Sequence, residues 1–102
     1  MARNRRPSNQ ALRVLQALLA RPQAWRYGYE LTKEVELKSG TLYPLLMRMT
    51  DEGLLEAEWH PPARPSLPAR HGYRLTPRGM AFAAEAISEA NSPTARRRLA
   101  SA

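Results

Sequence analysis

Residues 37–53 constrain the fold most, because they sort their side chains onto two faces and then supply a stop signal. Leu42, Leu45, Leu46 and Met49 fall at i, i+3, i+4 and i+7, one apolar stripe of an α-helix that has to be buried against the rest of a domain. Ser39 stands where a hydroxyl can accept from a first-turn amide, and Gly40 permits close backbone approach. Pro44 lies at the edge of the first turn, four residues after Gly40, where its missing N–H and its ring do least harm. The helix is expected to run to about Glu52, with Gly53 as its C-terminal cap. The opposite side carries Thr41, Tyr43, Pro44, Met47 and Arg48. Hydroxyls, an aromatic ring, apolar groups and a cation are what meets phosphates, base edges and thymine methyls. The expected use of this face is reading DNA.

The flanking segments place that helix. Ser8 can cap a first helix with apolar Ala11, Leu12, Val14, Leu15, Leu18 and Leu19, ended by Pro22. A second, short helix is expected over about Tyr27 to Val35, with Leu31 and Val35 inward and Glu30, Lys33 and Glu34 outward. Leu37 then plugs the angle between this helix and the next. Leu54 to His60 and His71 to Leu75 read as two strands of a hairpin, with Leu55, Ala57 and Trp59 alternating against Glu56, Glu58 and His60. Between them Pro61 to Arg70 hold four prolines and no glycine, which predicts a semi-rigid extended arm presenting Arg64 and Arg70. Thr76 caps and Pro77 opens a last helix from Arg78 to about Asn91, closed by Ser92-Pro93.

The order predicts a mainly α fold with a small β-hairpin: a winged helix-turn-helix over residues 8–76 and a C-terminal dimerisation helix over 77–91. Residues 1–7 read as a basic disordered arm and 92–102 as a basic flexible tail. The last helix carries Met80, Phe82, Ala83, Ala84 and Ile87, more apolar surface than one small domain needs. With Leu12, Leu15 and Leu19 of the first helix, these are the expected contacts of a homodimer.

Charge and composition sharpen the reading. The chain of 102 residues has a net charge of +7, but Arg3, Arg5, Arg6, Arg96, Arg97 and Arg98 supply six of its 16 basic groups, leaving 10 against nine acidic residues. The folded middle is nearly neutral, so the position of Arg48, Arg64, Arg70, Arg74 and Arg78 near the reading face matters more than the total. Cysteine is absent, which removes disulfides and thiolate chemistry and fits a reducing cytoplasm. No apolar run approaches the roughly 18 residues of a membrane span, and no signal peptide is recognisable.

Taken together, Tyr27-Gly28-Tyr29-Glu30-Leu31, Ser39-Gly40-Thr41-Leu42-Tyr43-Pro44-Leu45-Leu46, Glu52-Gly53-Leu54-Leu55 and Tyr73-Arg74-Leu75-Thr76-Pro77-Arg78-Gly79 resemble the PadR family of bacterial transcription regulators over most of residues 9–90. The resemblance implies a winged-helix homodimer that represses promoters from a pseudo-palindromic operator in double-stranded DNA, with the last helix pairing subunits. It implies DNA contacts at Ser39, Gly40, Thr41, Tyr43 and Pro44, and at Tyr73 on the wing. Arg5, Arg6, Tyr29, Met47, Arg48, Arg64, Arg70 and His71 complete the expected DNA-binding set. Before Leu75-Thr76-Pro77 stands Arg70-His71-Gly72-Tyr73, where family members often carry a basic and doubly aromatic run. The chain also lacks a long C-terminal effector domain, like the short subgroup, some of whose members hold flat drugs between tryptophans. A small hydrophobic effector at the dimer interface is the corresponding expectation, although the last helix has no tryptophan.

Other chemistry is poorly supplied. His60 and His71 flank the wing loop, but two imidazoles without a third ligand do not make a metal site. Asp51 and Glu52 are neighbours on a helix and point different ways, which does not suit general acid and base work. Glycines form no phosphate cradle. No enzyme, cofactor or metal is expected. Trp25 and Trp59, large aromatics at element ends, read as core anchors. The rival to DNA reading is a winged-helix module that binds another protein, with its Arg tails merely solvated.

Overall fold

The computed structural model describes residues 7–91. The arm with Arg5 and Arg6, the tail with Arg96 to Arg98, and the Ser92-Pro93 stop all lie outside the described residues. Four helices and three short strands follow in the order α1 (Asn9–Ala20), β1 (Arg26–Tyr27), α2 (Gly28–Glu34), α3 (Ser39–Asp51), β2 (Leu55–His60), β3 (Arg70–Leu75) and α4 (Pro77–Ala90). The winged helix-turn-helix architecture is as the sequence predicts, with a third strand added.

Local signals set most boundaries. Ser8 Oγ accepts from the Ala11 amide at 3.1 Å and starts α1; Thr76 Oγ1 accepts from the Gly79 amide at 2.9 Å and starts α4. At the end of α3, Gly53 adopts a φ of 79°. Its amide bonds to the Thr50 carbonyl, and the Leu54 amide reaches back to the Met49 carbonyl at 2.9 Å, a Schellman closure that satisfies the last carbonyls. The same pattern ends α2, where the Leu37 amide donates to Thr32 O and Glu36 takes the left-handed position with a φ of 57°. Leu37 is buried in the angle between the two helices, as its isolation in a polar turn predicts. Ser39 does not cap α3: Lys38 holds that position without a side-chain hydrogen bond, and Ser39 is the first helical residue.

The sheet has the order β1-β3-β2 and is antiparallel throughout. Its hairpin register pairs Leu55 with Leu75, Ala57 with Tyr73 and Trp59 with His71 on the inner face. Glu56–Arg74, Glu58–Gly72 and His60–Arg70 pair on the outer face. β1 arises because the two residues after Trp25 find the free edge of β3, pairing Arg26 with Tyr73 and Tyr27 with Gly72. Inward-pointing Arg26 is only 2% exposed. Nη1 donates to the Ala17 carbonyl at 3.1 Å and Nη2 is bonded to Glu34, so one buried guanidinium ties α1, β1 and α2 together.

The core joins Val14, Leu15 and Leu18 of α1 to Leu31, Leu37, Leu42, Leu46, Leu55, Leu75 and Ala83. Within α3 the inward stripe is Leu42, Leu46 and Met49, whereas Leu45 is only partly buried. Leu46→Ala should therefore cost roughly 2 to 5 kcal/mol through lost burial and a cavity, and Leu45→Ala clearly less. Chemical denaturation of the two variants measures the ordering, and equal losses would place Leu45 in the core.

Candidate nucleic-acid interface

Burial of Leu42, Leu46 and Met49 fixes the rotation of α3 and turns the opposite side outward. Ser39, Gly40, Tyr43, Pro44, Met47 and Arg48 are all exposed, Met47 by 61%, and Thr41 is half-buried. Arg48 has no ion-pair partner among the described residues. Gly40 has no atom within 4 Å of where a β-carbon would stand, so nothing inside the chain requires glycine there. Because Lys38 supplies no capping side chain, the start of α3 leaves amides and the Ser39 hydroxyl directed at solvent, a natural place for a phosphate oxygen.

Tyr43 is seated on the start of α2. Its ring and hydroxyl lie over Gly28, filling the space that a β-carbon there would need, and it remains 37% exposed. The Tyr73 pKa is raised by burial first and by the charge of Tyr43 second. Exposed Tyr29, on the first turn of α2, accepts a hydrogen bond from Lys33 Nζ at 2.8 Å, and the ammonium lies 4.4 Å from the centre of its ring. That hydrogen bond, with the charge behind it, lowers the Tyr29 pKa and holds a hydroxyl and a cation together on the outside of α2.

The wing departs from expectation in several places. Tyr73, expected to touch DNA, is only 3% exposed: it faces inward opposite Ala57, closed off by the helices that cover the sheet. Arg70 is no part of a free arm, because it begins β3 and its Nε donates to Pro61 O at 3.1 Å. Its guanidinium lies 4.3 Å from the centre of the Tyr27 ring on the outer face. Arg74 is likewise held on the outer face, over Trp25 and against Glu56. The connection is not simply extended, since the Leu67 amide closes a turn on the Arg64 carbonyl. Arg64 remains exposed.

His60 and His71 fall on opposite faces of the hairpin. His60 Nδ1 meets Tyr27 Oη at 2.8 Å and Nε2 meets Glu58, while His71 pairs with Trp59 and Tyr73. Among the described residues no three His, Cys, Asp or Glu side chains gather into a metal site. Trp59, read as a core anchor, is instead 67% exposed. The hairpin outruns the core, so the last inner-face pair has no helix above it. Sequence alternation assigned Trp59 to the inner face but could not locate the edge of the core.

Two expected subunit contacts are consumed within the subunit. Leu15 and Ala83 are fully buried, because α4 packs on α1 of the same chain. Leu12, Leu19, Met80, Phe82 and Ile87 are half-buried and Ala84 is exposed. These six retain surface that a second chain can meet.

Residues 14–85 match the transcriptional regulator PadR-like family. The chain belongs to that family. A PadR family transcription regulator from hypervirulent Clostridium difficile R20291 is 27% identical with a TM-score of 0.68, covering 81% of this chain and 88% of that one. A PadR-like transcriptional regulator from Bacillus cereus strain ATCC 14579 is 28% identical with a TM-score of 0.67, covering 87% and 89%. A PadR-like transcription factor from Bacteroides fragilis is 30% identical with a TM-score of 0.62, covering 78% and 77%. No curated protein matches the chain. As a PadR-like protein it is a DNA-binding regulator of transcription, and regulation rather than catalysis is what its winged helix serves. Among the described residues no helix is long and apolar enough to cross a membrane.

Proposed function

We propose that this PadR-like regulator is a bacterial, cytoplasmic repressor that binds an inverted-repeat operator as a homodimer, with α3 in the major groove. The observation that carries this reading is the outward face of α3. Its hydroxyl, aromatic, apolar and cationic side chains stand free beside uncapped first-turn amides, while the opposite stripe is buried. Arg48 is suited to a guanine edge, Pro44 and Met47 to thymine methyls, and the Ser39, Thr41 and Tyr43 hydroxyls to phosphates or base edges.

Selection of bound duplexes from random DNA tests the proposal, and an enriched inverted repeat is expected. On that operator, Tyr43→Ala and Arg48→Ala should each fold normally and lose affinity by roughly 1 to 3 kcal/mol. Affinity should also fall steeply with salt as released counterions are returned. Binding that ignores salt and enriches no repeat would favour the protein-binding module instead.

A further inference from the structure

The inner face of the wing changes character along its length. Leu55 and Leu75 are buried, Ala57 and Tyr73 nearly so, and the last pair, Trp59 and His71, emerges from the core. The indole lies parallel to the His71 imidazole, with ring centroids 4.4 Å apart and planes 11° apart. One indole face is therefore braced while the side chain as a whole remains 67% exposed. A ring held in one orientation presents a pre-organised apolar face to a partner.

His71 is oriented in turn. Its Nδ1 shares a hydrogen bond with Tyr73 Oη at 3.0 Å, which fixes the rotation of the ring. Nε2 is the ring nitrogen left without a partner among the described residues. Tyr73 pairs with Arg26 of β1, two residues before Gly28, on which the Tyr43 ring of α3 lies. Trp59, His71 and Tyr73 thus form a row of contacting rings along the wing. The wing's carboxylates are kept off this row: Glu56 pairs with Arg74 and Glu58 with His60, both on the outer face. No acidic side chain of the hairpin's inner face opposes a phosphate.

We propose that Trp59 and His71 form a clamp on the DNA backbone beside the groove that α3 occupies. The indole packs on a deoxyribose and His71 Nε2 donates to the adjoining phosphate. The inference rests on the DNA-reading proposal and adds to it a contact that is indifferent to sequence. The pre-stacked rings lose little freedom on binding, and an apolar ring face displaces water from a sugar as it does from a base.

With Trp25→Phe as background, Trp59 is the sole tryptophan, and its emission should shift or quench when a mixed-sequence duplex is added at low salt. Trp59→Ala should weaken binding about tenfold on selected and mixed duplexes alike, with an unchanged salt slope because the indole is uncharged. Trp59→Phe should keep part of the affinity. His71→Phe, which retains a ring beneath the indole but no donor, should lose less than Trp59→Ala on both duplexes. Thermal melts must match the wild type for these comparisons, as the exposure of Trp59 leads one to expect. Wild-type binding by Trp59→Ala, or emission that follows protein dilution and ignores DNA, overturns the clamp. If Tyr43→Ala and Arg48→Ala lose specific binding while Trp59→Ala does not, the clamp alone falls. If the wild-type chain binds no duplex, the clamp falls together with the reading beneath it.

Discussion

Gly79→Ala should cost at least about 3 kcal/mol and lower the melting temperature by roughly 12 °C or more, at the ~4 to 8 °C per kcal/mol usual for a domain of this size. A β-carbon at Gly79 would overlap the carbonyl oxygen of Leu54 and press on Leu75 Cδ2 at 3.1 Å. Neither the Leu54 carbonyl nor α4 is free to retreat. That carbonyl accepts from the Thr76 amide at 3.0 Å. The Leu54 amide is fixed to Met49 O by the closure of α3, and Thr76 Oγ1 donates to Gly53 O at 2.7 Å. The clash is with backbone in a packed junction, where overpacking cannot be relieved by a rotamer change. Gly40→Ala is the matching control. Its β-carbon enters open space, so the melt should stay level or rise by up to about 1 kcal/mol through helix propensity. A Gly79→Ala protein melting within a few degrees of wild type would mean that α4 does not meet the end of α3 so closely.

A comparable effect on binding is expected at the surface proposed to pair subunits. Ala84→Glu and Ile87→Glu, made together, should give a folded monomer whose affinity for an inverted-repeat operator falls about 100-fold or more, since one half-site supplies too little binding energy. Ala84 is exposed and Ile87 half-exposed within the subunit, so neither change strikes the core. Ala83→Glu is expected to behave differently: Ala83 is fully buried against the rest of the subunit, and an unpaired carboxylate there should unfold the chain rather than separate it from a partner. Sedimentation velocity and circular dichroism on the two proteins distinguish dissociation from unfolding. A double variant that remains dimeric, or a wild-type monomer that holds its operator tightly, sinks the pairing through α4.

Most features that depend on a few consecutive residues were legible in the sequence, although Ser39, expected to cap α3, is its first helical residue. Ser8 and Thr76 cap the helices they precede, Gly53 takes the left-handed turn, and Leu37 fills the angle between α2 and α3. The outward side of α3 was readable for the same reason: a helical period of 3.6 residues separates Tyr43, Met47 and Arg48 from Leu42, Leu46 and Met49 without reference to anything else. Matters that depend on distant residues were settled only by packing. β1 is two residues long and carries no periodicity of its own, so it exists only because the edge of β3 is there to receive it. Arg26 is buried because Ala17 O and Glu34 converge on it from two helices. Alternation put Trp59 with Leu55 and Ala57, and the register adds Tyr73 to that face, but the helices cover it only partway, which sends Tyr73 inside and leaves Trp59 in solvent. An apolar stripe likewise does not say whose surface it will meet. For Leu15 and Ala83 the answer is the chain itself, because α1 and α4 lie together before any second subunit arrives.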